Sequence, residues 1–452
     1  MDKGPDATPQ EESMTRFGVC LALGSSLLLG AAPSAAACTD TPHDYTWPSH
    51  DCFQGLQACI DSEPCNGGVI EIATNQPITD AIHFEKGLTL RPSAGYTPVF
   101  LAPLSAATPT DSNKAGYYIR IEGLTFQDNG RIHVTQQSPS GLDVEVVDNA
   151  VANAAPQVGW RGIELNSGTG GTGTVGFVVS GNRVTIEGDS SETGIGTSAL
   201  PDGSYGSIDN NSIAMSHNQG GGGIFVGKYV PGPWTVDVVA NRISGTGYAF
   251  GVYLSSFQDH LAARLLDNLI VGQMGAGVGF GAVYLDASFA QGAIDATIVD
   301  NTIAGNQTGI SAFPENQGSV LSGVVADNIV SGNSVLGVDI EGTSLANRNN
   351  LVFANGANHF SPGPGTTAED PRFVGNGDYH LQPGSPAIDA GDDGAVPGDL
   401  ARDLDGNPRI HGSHVDLGAY EVPEPTTLLS GGATLLALHA LGRRPHARTA
   451  SC

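Results

Sequence analysis

Two short motifs, Asn241-Arg242-Ile243 and Gly251-Val252-Tyr253-Leu254, decide the fold, because both return along the chain. The first recurs as Asn182-Arg183-Val184, Asn211-Ser212-Ile213, Asn268-Leu269-Ile270, Asn301-Thr302-Ile303, Asn328-Ile329-Val330 and Asn350-Leu351-Val352. From Asn182 to Asn350 the steps are 29, 30, 27, 33, 27 and 22 residues, and Asn149-Ala150-Val151 and Glu122-Gly123-Leu124 extend the series upstream. The second falls between them as Gly162-Ile163-Glu164-Leu165, Gly194-Ile195-Gly196-Thr197, Gly223-Ile224-Phe225-Val226, Ala282-Val283-Tyr284-Leu285, Gly309-Ile310-Ser311-Ala312 and Gly337-Val338-Asp339-Ile340. Apolar residues at alternate positions, broken by Gly, Asn and Ser, read as short strands. Strands at a fixed period mean a solenoid, since one repeat cannot bury its inward face alone. Helical periodicity is missing here, and a propeller blade would need about 40–45 residues. The sequence therefore predicts an all-β protein, a right-handed, single-stranded parallel β-helix with coils stacked about 4.8 Å apart. The recurring Asn is assigned to the left-handed residue of a tight turn, and its stacked amides can bond coil to coil.

Composition bounds the function. Of 452 residues only 14% are charged, against about 25% in an average globular domain. The formal charge is −27, which argues against a nucleic-acid partner, because such a grip needs a basic face. The 40% of apolar residues argue against disorder. Between the processing signals, residues 38–421 keep 14 basic and 41 acidic residues. That surface repels anionic polymers unless cations intervene.

Both ends read as processing signals. After Met14 come Thr15-Arg16, an apolar run from Phe17 to Leu29, and Ala35-Ala36-Ala37, the order of a secretory signal peptide over residues 14–37. Cys38 directly after it leaves lipidation as an alternative. Cys38, Cys52, Cys59 and Cys65 lie close together, and in an oxidising compartment they read as two disulfides of undetermined pairing. A zinc site is the rival, without the C-x₂-C pairs such sites favour. Pro423-Glu424-Pro425 is followed by an apolar stretch to Leu441 and by Arg443, Arg444 and Arg448. Residues 422–452 thus resemble the PEP-CTERM sorting signal of Gram-negative bacteria. The resemblance implies an exosortase-type sorting enzyme as a partner, transient membrane contact through the tail, and delivery to the envelope, outer surface or extracellular matrix.

Residues 38–66 form an expected N-terminal cap, in which Phe53 to Ile60 looks like a short capping helix. Gly67-Gly68-Val69-Ile70-Glu71-Ile72, Gly87-Leu88-Thr89-Leu90-Arg91 and Ile121-Glu122-Gly123-Leu124-Thr125-Phe126 are similar to early coils of pectate-lyase-like β-helices. The β-helix is placed at residues 67–360, ending at the breaker run Ser361-Pro362-Gly363-Pro364-Gly365. Residues 361–421 hold Asp370-Pro371-Arg372-Phe373, Asp378-Tyr379-His380-Leu381, Gly384 to Gly391, Asp403-Leu404-Asp405-Gly406 and Asp416 to Glu421. They resemble the C-terminal module of choice-of-anchor surface proteins, which implies a cap and an anchoring neighbour.

Chemistry is sought on the outward columns of the Gly-Ile-x-Val motif. One column reads Glu164, Gly196, Phe225, Tyr253, Tyr284, Ser311, Asp339. The other reads Asn166, Ser198, Gly227, Ser255, Asp286, Phe313, Glu341. Phe225, Tyr253 and Tyr284 would form an aromatic strip for extracellular polysaccharide, or simply pack coil on coil. Asp286 and Glu341, about 9.6 Å apart by coil spacing, with Asp339 near, are candidates for a glycoside hydrolase that protonates the leaving oxygen and activates water. A lyase needs a basic residue by its carboxylates, and Lys228, Arg242 and Arg264 share no column with these. Asp267, Asp300 and Asp327 precede ladder asparagines and would crowd like charges, which calcium relieves, as would solvent and salt. His411, His414 and Asp416 are a weaker metal set, and Asp403 to Asn407 resembles half a calcium loop. The leading expectation is polysaccharide binding, followed by a structural or adhesive stalk, then by polysaccharide hydrolase or lyase activity.

Overall fold

The computed structural model describes residues 44–423, apart from residues 49–51, 53–54, 63–65, 111–115, 155–159, 169, 189–191, 218–220, 248, 258, 273–280, 288–291 and 315–317. The expected signal segment, Cys38, Cys65, Glu424, Pro425 and the residues that follow them lie outside the described residues.

Each coil lays one strand in each of three parallel sheets of 12, 10 and 11 strands. Trp234–Val239 belongs to the first sheet, Arg242–Gly247 to the second and Phe250–Ser256 to the third, and the next coil repeats the order. This is the right-handed parallel β-helix expected from the repeats. Its inside is built from columns such as Ile121, Val146, Val179, Ile208, Val238, Leu265, Ile298 and Val325, in register from coil to coil. All eight are buried, and each contributes about 1.5–3 kcal/mol by leaving water.

At the N-terminal end, the strand Asp44–Trp47 pairs with Gly68–Ile72. The helix Leu56–Ser62 buries Leu56, Cys59 and Ile60 against the first coils. Gln57 fastens it to the strand below, donating from Nε2 to the His83 carbonyl at 2.6 Å and accepting the His83 N–H at 2.9 Å. Cys52 and Cys59 form a disulfide.

Two expectations are corrected. The left-handed turn residue is the one before each ladder Asn: Asp148, Gly181, Asn210, Ala240, Asp267, Asp300, Asp327 and Asn349 all have φ between 51° and 68°. The ladder Asn itself turns inward to bond its neighbours. The C-terminal module caps the last coil only with its first residues, where Leu351 bridges Thr367, the Asn349 N–H meets the Pro364 carbonyl at 2.8 Å and the Val352 N–H meets the Thr367 carbonyl at 2.9 Å. The chain then descends the flank of the solenoid, where Asp392 meets Arg348 at 2.9 Å, Asp399 meets Arg264 at 2.8 Å and Asp405 meets Arg242 at 2.7 Å. The physical reason lies in the coils: Leu266, Val299 and Ala326 close first-sheet strands with apolar side chains off the main core, and Ala395 and Leu400 cover them. Leu417, Ala387 and Leu381 do the same for Ile329 and Leu351 of the second sheet.

Candidate functional site

The outward column of the third sheet keeps the register that alternation predicts: Glu164, Gly196, Phe225, Tyr253, Tyr284, Ser311 and Asp339 are successive partners. Ring centroids lie 5.2 Å apart from Phe225 to Tyr253 and 4.9 Å from Tyr253 to Tyr284. The strip is not open to solvent as expected, however. Phe225 is 8% and Tyr284 7% exposed, because rings at coil spacing shield one another and four more join them. Phe250 packs at 5.2 Å from Tyr253, Phe313 at 5.9 Å from Tyr284, Tyr229 at 6.3 Å from Phe225 and Phe257 at 4.4 Å from Tyr229. The accessible rim is Tyr229, 37% exposed, with half-buried Tyr253 and Phe257. Gly227 permits this fold-back, since a Cβ there would stand 2.5 Å from the Tyr229 ring. Arg161 reaches over Gly196 to lie 5.3 Å from the Phe225 centroid, a cation–π contact, while also bonding Glu164 at 2.9 Å. Motif reading missed Tyr229, Phe250 and Phe257 because they stand at strand ends, beyond the alternating core of the motif.

The three candidate carboxylates are not brought together. Asp286 is buried and accepts the Tyr253 hydroxyl at 2.7 Å. Burial and that bond push the Tyr253 phenol well above its ordinary range, so it stays a donor. Asp339 stands in the other column two coils on and faces His359 Nδ1 at 3.5 Å. Glu341 lies past the strand Leu336–Asp339, exposed in a turn, so the expected Asp286–Glu341 column does not form. The strand pairs in regular register with the coil before it but stops at Asp339, short of Glu341. Of the basic residues, Lys228 points inward, fully buried, and donates to the Val230 carbonyl; burial lowers its pKa. Arg242 and Arg264 are spent on the module.

Asp267, Asp300 and Asp327 do share a row, but beneath the module rather than in solvent, with 0% exposure each. Their counter-charge is the buried Arg409, which donates to Asp267 at 2.7 Å and Glu421 at 2.7 Å and lies 3.8 Å from Asp300. The expected solvent-facing calcium row is thus corrected to a buried row with a guanidinium among its carboxylates. Among the described residues no three His, Cys, Asp or Glu side chains gather in metal-binding geometry. His414 turns to Asp393 at 3.3 Å, while Asp416 accepts the N–H groups of Asp389 and Val422. Asp403 organises its own loop by accepting the N–H groups of Asp405 and Asn407.

No family model matches the chain, and no curated protein is similar to it. Among solved structures, the crystal structure of pectate lyase Pel9A is similar to it with a TM-score of 0.39 and 13% identity, over 84% of this chain and 97% of that one.

Proposed function

We propose that this chain is an exported, envelope- or matrix-associated β-helix protein that binds extracellular polysaccharide at the aromatic face of its third sheet and does not cut it. The observation that carries the reading is the Tyr229–Tyr253–Phe257 rim over a fixed aromatic floor. Tyrosine and phenylalanine faces of this kind pack on the apolar faces of sugar rings, and their cost in lost rotamer freedom is low. Binding is favoured over turnover because Asp286 is committed to a phenol and Glu341 lies exposed in a turn beyond the strand. Export by the N-terminal signal, sorting through Pro423, Glu424 and Pro425 by an exosortase-type enzyme, and an anchoring role for the choice-of-anchor-like module belong to the same proposal, as does the absence of a nucleic-acid partner.

A structural or adhesive stalk is the second reading. The burial of Phe225 and Tyr284 favours it, since an aromatic ladder also stiffens a stack of coils. Retention of the full chain on immobilised neutral and uronic polysaccharides separates the two. Truncating one exposed anchor, Tyr229→Ala, should cut retention about tenfold with unchanged circular dichroism and no release of reducing ends by the parent. A parent that is not retained at all leaves only the stalk.

A further inference from the structure

The best exposed aromatic residue of the solenoid lies on a different face. Tyr205 is 55% and Tyr118 39% exposed, both on the outer side of the first sheet. They belong to one column, Tyr118, Asp143, Gly176, Tyr205, Thr235, in register across successive coils. By coil spacing the backbones of the two tyrosines stand about 14 Å apart with Asp143 between them. Gly176 has no side chain, and the space above it is where its neighbours converge. A Cβ there would lie 2.6 Å from Asp143 Oδ1 and 3.1 Å from both Cζ and Oη of Tyr205. A carboxylate from the coil before and a phenol from the coil after therefore meet over one glycine. Neither group has a hydrogen bond or ion pair among the described residues, unlike Glu145 beside them, which pairs with Arg120. Val178, 38% exposed in the adjacent column, extends the apolar floor.

We infer that Tyr118, Asp143 and Tyr205 form a second saccharide site, for a neutral sugar chain. The ligand class follows from the groups present. The carboxylate accepts from neighbouring sugar hydroxyls and the Tyr205 hydroxyl supplies a donor beside it. The two rings offer faces for sugar C–H surfaces. Asp143 and a net charge of −27 repel uronic or sulfated chains. The inference rests on the proposed function for its ligand class but not for its location, because the third-sheet rim lies on another face of the coil.

Frontal chromatography of the full chain on an immobilised neutral glucan and on an immobilised polyuronate tests it. Both side chains are exposed, so the fold should persist, which circular dichroism checks. Tyr205→Ala should lower retention on the glucan about tenfold and Asp143→Asn about fivefold, the loss of a charge-assisted bond. Both should act equally in the Tyr229→Ala background. Retention that Tyr229→Ala abolishes but Tyr205→Ala and Asp143→Asn leave unchanged overturns this site and spares the proposed function. A parent retained by neither polymer overturns both, and stronger retention on the polyuronate overturns the ligand class.

Discussion

Two columns of side chains run up this solenoid one residue apart, and they solve the same stacking problem in opposite ways. In the ladder from Asn149 to Asn350, each amide Nδ2 donates to the Oδ1 of the next coil at 2.9–3.1 Å. The same oxygen takes a backbone N–H from the coil below, as Asn268 Oδ1 takes that of Asn241 at 3.0 Å. An amide is both donor and acceptor, so the stack satisfies itself. The neighbouring residues Asp267, Asp300 and Asp327 repeat at the same pitch but only accept when ionised. Asp267 Oδ2, both oxygens of Asp300, Asp327 Oδ2 and Glu421 Oε2 are buried without a hydrogen-bond partner. The carboxyls answer by binding protons more readily. Burial pushes Asp267 and Asp327 up to about 7, Glu421 up to about 8 and Asp300 well above the usual carboxylate range. Burial alone would lower the Arg409 pKa, but Asp300, Asp267 and Glu421 raise it further than burial depresses it. A neutral ladder is thus self-contained, whereas an acidic one must recruit a cation from another part of the chain. Here that need ties the C-terminal module to the coils.

The comparison breaks most visibly at Arg409. Arg409→Met keeps the length of the side chain but strands the carboxylates, a change worth about 3–5 kcal/mol when one partner of a buried ion pair is lost. Urea unfolding should show that loss, and the residues around Asp392, Asp399 and Asp405 should exchange amide protons before the coils do. A denaturation midpoint equal to that of the parent would mean that the acids, not the arginine, carry the docking.

A smaller effect turns a rung of the good ladder into one of the bad kind. Asn268→Asp removes the donors to the Val238 carbonyl and to Asn301 Oδ1, leaving buried acceptors that cost about 1–3 kcal/mol each. The loss should be greatest at neutral pH and shrink in acid, where the new carboxyl regains a proton to donate. Equal destabilisation at pH 5 and pH 8 in thermal melts would refute the ladder argument.

The period of the Asn and Gly motifs and the parallel β-helix were legible in the sequence because burial imposes a period of two on every strand, whereas the third sheet of each coil was not. The outward register was legible too, from Phe225 through Tyr284. Exposure was not: alternation says which way a side chain points, not what lies over it, so Phe225, Tyr284 and Asp286 read as surface. A signal for the covering module was present. Leu266, Val299 and Ala326 are apolar at positions directly after the inward Leu265, Ile298 and Val325, as Val239 is after Val238, so apolar residues face both ways over a run of successive coils. The partner that covers them comes from over a hundred residues away for Arg409 and Asp267, and no local pattern specifies such a contact. Tyr205 and Asp143 escaped for a similar reason, since their convergence depends on Gly176, whose only signal is the lack of a side chain.

The smallest effect sharpens the contrast from the acid side. Carboxyls whose folded pKa is raised contribute stability that is fully present below the ordinary carboxylate range and is lost as pH rises through their folded values. For Asp267, Asp327 and Glu421 that window runs from about 4 to about 7–8. Glu122, Asp392 and Asp399 act oppositely, because arginine bonds hold their carboxyls low and they lose stability only as the solution becomes acid. Glu122 and Asp392 are half-buried and Asp399 is exposed, so solvent screens their pairs and they count for less. The parent should therefore melt at a lower temperature at pH 9 than at pH 5.5, a direction unusual for acid-rich proteins. Asp300→Asn removes the charge while keeping a residue at ease with φ 60°. Its amide can donate to the partnerless oxygens of the neighbouring rows, so the variant should gain about 1 kcal/mol at pH 9 and show a flatter melting profile. An unchanged pH slope would place the alkaline sensitivity outside the acid row and leave Arg409 as a structural pin only.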